Sequence, residues 1–481
     1  MSVEQEKIED ILAQRYFDYA SYVITDRAIP NIYDGLKPVA RRSLYALYDL
    51  KIFSNQPTRK CVKTVGHIIG SFHPHGDSSA YGALVRLTQP WSMRIPFVFG
   101  QGNFGSVEGD PPAAMRYTEC RLEKITEQAV LADLDKDVVI FEPTFDNENQ
   151  EPIDLPVRFP NALVNPNSGM AVGVSSDILP HNLNECIDAT IALITNAIVT
   201  NDELMKIVRA PDFPGGGIIE TDNYKEVWKM IFETGKGSVR LSARFEETKI
   251  PRYNAVRISE FPYGVLKGKV LAEISTGVKK GRIPGVMDIL DESDANASVL
   301  VLKFSMKTPV DEMIRKLKSA TSLSKVFPCQ MVYIVDGKPK QLGIRSVLEY
   351  FLQFRRSCIS RRVSFELREL QNEAHIVEGF IRVFEHLDRV IEIVRTDTKP
   401  KETLMREIGL DEIQVEKVLD MPLRRLSKLD ENLLRDKYQK IQMSITEKQG
   451  ILADAKLVDG IIKQELLEVK KKFSSPRKTK I

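Results

Sequence analysis

Apolar residues recur at three- and four-residue steps in a short stretch near the start of the chain and in two long series near its end, with strand-like runs between. Leu36, Ala40, Leu44 and Leu47 fall on one helical stripe, Lys37, Arg41 and Tyr45 on the stripe beside it, and Pro38 suits a first turn. A second helix is predicted over 58–69, with Val62, Val65 and Ile69 inward and Arg59, Lys60 and Lys63 outward. The pattern breaks at GSFHPHG, 70–76, after which Asp77 is placed to N-cap a third helix that must stop before Pro90. Helix, tight turn and helix in a basic stretch is helix-turn-helix organisation. Strand-like runs follow at 138–141, 217–220, 238–241 and 299–304. Val347, Phe351, Phe354 and Cys358, then Leu370, Ala374, Val377, Ile381 and Phe384, carry the signature of a long packed helix. Leu434, Tyr438, Ile441 and Ile445, then Ile462, Leu466, Val469 and Phe473, form a second series suited to run back antiparallel.

At 481 residues the chain is too long for one core, and two to four domains are expected. Its 43% hydrophobic and 28% charged residues describe a globular protein rather than a disordered one. The five cysteines, 61, 120, 186, 329 and 358, are widely spaced without a C-x-x-C, so no disulfide framework or zinc site is indicated and a reducing, cytoplasmic compartment is expected. The N-terminus lacks an apolar signal core, and no apolar run approaches a membrane span. A net charge of +2 hides an uneven distribution. Between 35 and 63, Lys37, Arg41, Arg42, Lys51, Arg59, Lys60 and Lys63 are opposed only by Asp49, whereas acids crowd 123–154 against only Lys124 and Lys136. A basic face beside an acidic one would guide a polyanion such as nucleic acid.

The candidate chemistry sits at 100–119, GQGNFGSVEGDPPAAMRYTE. Four glycines followed by Pro111-Pro112 cannot form a regular element, so the backbone is free to approach another polymer and to deliver Arg116 and Tyr117; taken by itself, Tyr117 is either a presented nucleophile or a residue packed at the start of an element. His73 and His75 lie at the positive N-terminal end of the third helix, where a phosphate is favoured. The G-x-G-x-x-G at 100–105 is not a nucleotide loop, because Pro111-Pro112 blocks the helix that would follow and no kinase motif accompanies it. Asp133, Asp135 and Asp137 alternate like a calcium loop, but Val138 occupies the place of its glycine, and the stretch is read as a solvated acidic turn.

YASYVITDRAIPNIYDGLKPVARRSLYAL, SFHPHGDSSAYGALVRLTQPW and GQGNFGSVEGDPPAAMRYTE resemble the A subunits of bacterial type IIA DNA topoisomerases, among them those of topoisomerase IV and gyrase. The likeness continues through LPHNL (179–183), PDFPGGG (211–217), GKGSVR (235–240), LDESD (290–294), RRVSFELREL (361–370) and VLDMPLRRL (418–426), and so covers essentially the whole chain. It implies an α+β multidomain fold: an N-terminal arm at 1–29, a winged-helix DNA breakage-reunion domain at 30–150, an α/β tower at 151–335, and at 336–481 a long antiparallel coiled coil with a helical dimerisation gate at about 372–432.

The same resemblance implies an A subunit of an ATP-dependent type II topoisomerase, which cleaves both DNA strands through 5′-phosphotyrosine links, passes a second duplex and religates. Tyr117 would be the nucleophile and Arg116 would neutralise charge at phosphorus. A tyrosine with an ordinary pKa of about 10 needs a base or nearby metal, and His75 is placed to help. Arg27, Lys37, Arg42, His73 and His75 would contact DNA, and Met170 would stand for the family's apolar wedge, more often isoleucine. This chain shows no metal ligand set of its own. Mg²⁺ and ATP are expected on a partner B subunit carrying the ATPase and TOPRIM domains, with this chain a homodimer inside an A₂B₂ heterotetramer on double-stranded DNA in the nucleoid-bearing cytoplasm. Ser78 and Gly82 share one helical face where the family holds the hydrated Mg²⁺ of fluoroquinolones with a serine and an acid; here the acid is replaced by glycine. His67, Ser71 and Phe99 also depart from the usual acid, lysine and aspartate, and are expected to shift DNA affinity. The family's DNA-wrapping β-pinwheel would begin near where this sequence stops, so these residues are expected to relax and decatenate DNA without supercoiling it. The alternative is a non-catalytic architectural protein of the same fold, against which the presence of both Arg116 and Tyr117 argues.

Overall fold

The computed structural model describes residues 8–293, 298–420 and 428–481. Residues 1–7 of the expected arm, Asp294 of LDESD, 421–426 of VLDMPLRRL and 421–427 of the expected gate lie outside the described residues. The chain divides into two compact units, one of Met1–Leu134, Val139–Arg355 and Lys463–Ile481, the other of Asp135–Val138 and Arg356–Ile462. The first is mixed α/β with small antiparallel sheets; the second is built of helices.

In the first unit, α1 (Ile8–Val23) leads through a π turn, Ile24–Ala28, to α2 (Pro38–Asp49), β1 (Arg59–Lys60), α3 (Cys61–His67), α4 (Asp77–Thr88), β2 (Val98–Gln101) and β3 (Glu119–Leu122). The strands form one antiparallel sheet of order β1-β3-β2, against which α2 to α4 pack. Pro38 opens α2 because the first turn leaves its missing N–H unpaired in any case. Leu44 and Leu47 are buried as expected, but Arg41 is buried with them, donating from Nε to Asp34 Oδ2 at 2.6 Å and from Nη2 to Asp34 Oδ1 at 3.1 Å. Asp34 is wholly enclosed and also accepts the N–H groups of Leu36 and Leu155, so an inward arginine keeps that carboxylate paired.

The second helix is shorter than predicted and turned about its axis. Arg59 and Lys60 belong to β1, paired with Cys120 and Glu119, so α3 starts at Cys61 and buries Cys61, Thr64 and Val65 while Val62, expected inward, is 40% exposed. A π turn, Ile68–Phe72, carries the chain past Gly70, and the break falls at His73, which is extended. Gly76 rather than Asp77 is the N-cap of α4; Asp77 is its first residue and accepts the N–H of Ser78 at 2.8 Å. The strand predicted over 138–141 begins only at Phe141, where Phe141–Pro143 pairs with Gln150–Pro152, and Val138 and Val139 are buried in irregular chain before it. Asp133 and Asp137 take left-handed backbone conformations and pair with Arg158 and Arg361, so the acidic turn is ion-paired rather than merely solvated.

Two larger sheets complete the first unit. One runs Asn167–Ala171, Val174–Ile178, Ser324–Gln330, Lys236–Ser242, Ile218–Ile219; the other runs Arg244–Ile250, Tyr253–Ser259, Leu300–Phe304, Val286–Asp291. Val256, Ile258, Leu302 and Phe304 of the latter close over Val270 and Ile274 of the helix Lys267–Lys279 and Met313 and Leu317 of Val310–Ala320. The end of the chain returns to the edge of the first sheet, where Lys480 bridges Ile218. Asp212, fully buried, accepts the N–H of Lys478 at 2.8 Å and of Thr479 at 2.9 Å, and is held by Arg94 and Asn182. PDFPGGG and LPHNL therefore converge on this strap.

The first apolar series lies on one helix of 42 residues, Ile344–Glu385, of which the part from Arg356 onward belongs to the second unit. The second series is split between Lys428–Ala453 and Ala455–Phe473, parted where Asp454 accepts the N–H of Lys456. Leu370, Ala374, Val377 and Ile381 pack with Leu434, Tyr438, Ile441 and Ile445. The ion pairs Glu385–Arg435, Glu373–Lys437 and Glu366–Lys448 descend one helix as they ascend the other, so the two run antiparallel. Beyond them Val383, Val390, Ile393, Leu404 and Val415 make a small core for the helices Leu387–Thr396, Pro400–Ile408 and Glu412–Leu419.

Candidate active site

Gly102, Gly105 and Gly109 have φ of +106°, +93° and +105°, conformations that residues with a Cβ rarely take. They fold 102–118 into a loop whose far end is tied down. Ala113 N–H donates to Asn103 O at 3.0 Å, and the Tyr81 hydroxyl of α4 donates to Ala113 O at 2.7 Å and lies 2.8 Å from Thr118 Oγ1. Cys61 N–H donates to Thr118 O at 3.0 Å, and Val62 N–H to Met115 O at 3.1 Å. Thr118 is wholly buried, yet Tyr117 beside it is 63% exposed, and Arg116 sets its guanidinium carbon 4.8 Å from the centre of the Tyr117 ring. An anchored backbone thus presents a free phenol next to a cation. Glu119 is occupied by Lys60 at 3.0 Å and by the Thr58 hydroxyl at 2.6 Å, and the Thr58 and Lys60 contacts hold it below the usual carboxylate range. Among the described residues no group of three or more His, Cys, Asp or Glu could hold a metal ion. Tyr81 and Thr118 escaped the sequence reading, because nothing periodic marks them and their role exists only once the loop folds back on α4.

The second group of candidates gathers around α2. His73 and His75 stack with ring centres 4.2 Å apart, and His73 Nδ1 lies 3.0 Å from Arg42 Nη1. Burial, then the charges of His75, Arg42 and Arg27, push His73 down to about 4, so it is neutral at physiological pH. His75 Nδ1 is buried and has no hydrogen-bond partner. Arg42 donates from Nε and Nη2 to the two oxygens of Glu151, each at 2.7 Å. Glu151 comes from the acidic stretch expected to repel a polyanion; one of its members instead orients a basic residue. Arg27 is exposed on the π turn after α1. Lys37 donates to Ser168 O at 2.6 Å, and burial, followed by the charge of Arg86, pushes its amine down to about 8.

That carbonyl belongs to the hairpin of Met170, whose side chain is 86% exposed. A Cβ on Gly169 would fall 2.0 Å from Ala28 O, so only glycine lets the hairpin lie this close to the chain after α1. Ser78 and Gly82 are exposed on α4, and a side chain at 82 would meet nothing within 4 Å. His67 Nε2 lies 2.7 Å from Asp49 Oδ2 and its Nδ1 3.3 Å from Ser71 Oγ, which joins two of the departures in one chain of contacts, while Arg121 covers the Phe99 ring at 4.7 Å. Among the described residues, no hydrogen bond, ion pair or ring contact joins Arg116 or Tyr117 to His73, His75 or Met170.

The family model for the A subunit of DNA gyrase/topoisomerase IV matches residues 27–467. The A subunit of DNA gyrase from Clostridium acetobutylicum is 41% identical over 470 residues, which is 97% of this chain and 56% of that protein. The A subunit of the chloroplastic/mitochondrial DNA gyrase of Nicotiana benthamiana is 41% identical over 474 residues, 97% of this chain and 50% of that protein. Its counterpart in the DNA gyrase of Lawsonia intracellularis is 39% identical over 485 residues, 100% of this chain and 58% of that protein. The chain spans about half the length of the curated relatives it matches.

Proposed function

The chain belongs to the DNA gyrase/topoisomerase IV A-subunit family, and from that premise we propose that it performs the breakage and reunion steps of a type II DNA topoisomerase. The observation that carries this reading is Tyr117, a phenol 63% exposed on a backbone anchored through Tyr81 and Thr118, with Arg116 against its ring. The Tyr117 oxygen attacks a DNA phosphorus as it loses its proton; the new O–P bond forms as the bond to the 3′ oxygen breaks, and that oxygen leaves as a 3′-hydroxyl. One ester replaces another, so religation needs no external energy. Arg116 offsets the charge that builds on the phosphoryl oxygens.

In this reading α2 to α4 and the β1-β3-β2 sheet are the winged-helix breakage domain (30–150), after an arm at 1–29. The two larger sheets form the tower (151–335), and 336–481 is the coiled coil with a dimerisation gate at about 372–432. Arg27, Lys37, Arg42, His73 and His75 take DNA phosphates, and Met170 wedges between base pairs. The Mg²⁺ and the ATP of the reaction are assigned to a B subunit, as the family likeness implies; when bound, the metal would supply Lewis-acid stabilisation of the reacting phosphate. The partners are double-stranded DNA, a second copy of this chain and a B subunit, in the cytoplasm with the nucleoid.

The test mixes the chain with a gyrase B subunit, plasmid and Mg²⁺, then denatures the mixture with detergent. Protein-linked DNA is expected from the natural chain. Tyr117→Phe, which removes one oxygen and little packing, should bind DNA as before and yield none; adducts from that variant would refute the assignment.

A further inference from the structure

Lys267 is a buried lysine that the reaction as described does not use. Its side chain is 5% exposed and stands on the first residue of the helix Lys267–Lys279, where the helix dipole disfavours a cation. Two carboxylates offset both penalties. The amine pairs with Glu108 and with Asp291, the latter at 2.8 Å, and donates to Ser293 Oγ at 3.0 Å. Asp291 and Ser293 belong to the LDESD motif, whereas Glu108 sits at the tip of the loop that carries Tyr117. The tip is a preformed turn: Gly109 N–H donates to Ser106 O at 3.2 Å, Asp110 N–H to Ser106 Oγ at 3.3 Å, and Ser106 Oγ to Asp110 Oδ2 at 2.7 Å. Gly109, at φ +105°, brings its backbone so close to Leu266 that a Cβ there would fall 3.0 Å from that side chain.

We propose that Lys267 is a positioning residue for DNA cleavage: by clamping Glu108 against the sheet that carries Asp291, it fixes the tip of the Tyr117 loop, while Tyr81 and Thr118 fix its base. The inference rests on Tyr117 being the nucleophile. The loop then has two independent anchors, and loss of the tip anchor leaves the phenol exposed but poorly aimed. Misplacement of a reacting group by about 1 Å costs on the order of a hundredfold in rate. Because Lys267 is enclosed, it acts through Glu108 and not by touching DNA.

The experiment compares the full chain with Lys267→Met, Glu108→Gln, the double variant and Lys267→Arg, each with Mg²⁺ and the B subunit. Lys267→Met is expected to slow adduct formation on the order of tenfold to a hundredfold while leaving DNA affinity unchanged. Glu108→Gln should reproduce most of that loss, the double variant should be no worse than Lys267→Met alone, and Lys267→Arg should recover part of the rate. Amide hydrogen exchange across 103–112 should quicken in Lys267→Met without spreading to the sheets. Unchanged exchange there, additive losses in the double variant, or a loss of DNA affinity matching the loss of rate would each overturn the proposal. Failure of the natural chain to form any adduct would instead defeat the reading of Tyr117, and the exchange measurement would still decide whether Lys267 holds the loop.

Discussion

Asp154 is enclosed beside the Asp34–Arg41 pair, with Oδ1 lacking a hydrogen-bond partner. Burial first, then the charge of Asp34, pushes its carboxyl up to about 7, against the pull of Arg41. The folded protein therefore holds a proton there that the unfolded chain releases near pH 4. That stabilisation is complete below about pH 4 and lost as pH rises to about 7. Asp154→Asn keeps the shape without the ionisation, so relative to the variant the natural chain should lose about 2–3 kcal/mol between pH 5 and 8. Denaturant melts of both forms at the two pH values check this; parallel pH dependences would remove Asp154 as the cause. On α4, Gly82 faces open space, so an acid there displaces nothing. Gly82→Asp should lower several-fold the fluoroquinolone concentration needed for half-maximal trapped cleavage, with drug-free cleavage similar. Equal concentrations would show that residue 82 does not control the drug.

At the scale of elements, two close approaches hold the first unit's parts in register. The Met170 hairpin depends on Gly169, and Gly169→Ala must push backbone against Ala28 O, a strain of about 1–3 kcal/mol. Its expected signature is a lower Tm together with weaker cleavage, whereas Met170→Ala, altering a side chain 86% exposed, should spare the Tm and reduce cleavage alone. Scanning calorimetry beside the adduct assay separates the two. The strap at the chain's end contains Arg477, Lys478 and Lys480, which trypsin would cut readily in a free tail. Bound by Asp212 and Glu185, they should resist it. Asp212→Asn weakens the acceptor of two strap N–H groups and the partner of buried Arg94, and tryptic release of the last residues should become rapid. Persistent resistance would mean that the strap is held by its other contacts.

For the molecule as a whole, the proposed dimer predicts that deleting about 370–434 leaves monomers that still fold in their first unit; sedimentation showing an unchanged dimer would move the interface elsewhere. The amino-acid sequence by itself determined the build of the parts. A 3.6-residue period over 344–385 and 428–473 can only be buried along helices, and glycines at 102, 105 and 109 before paired prolines can only be a loop. These are local properties, carried by residues a few positions apart. That Tyr117 stands on a glycine-rich loop was legible for the same reason, because the glycines and prolines that make the loop lie in the same twenty residues. Which basic side chains face outward was decided only by tertiary structure. Arg41 turns inward to Asp34, Arg42 is claimed by Glu151, 109 residues away, and α3 loses its first turn to a strand whose partner is Cys120. The anchoring of the loop was equally hidden, since Tyr81 and Thr118 meet only after the chain has folded back. A buried charge or an unpaired edge must find its partner wherever the fold brings one, and no periodicity along the chain records where that is.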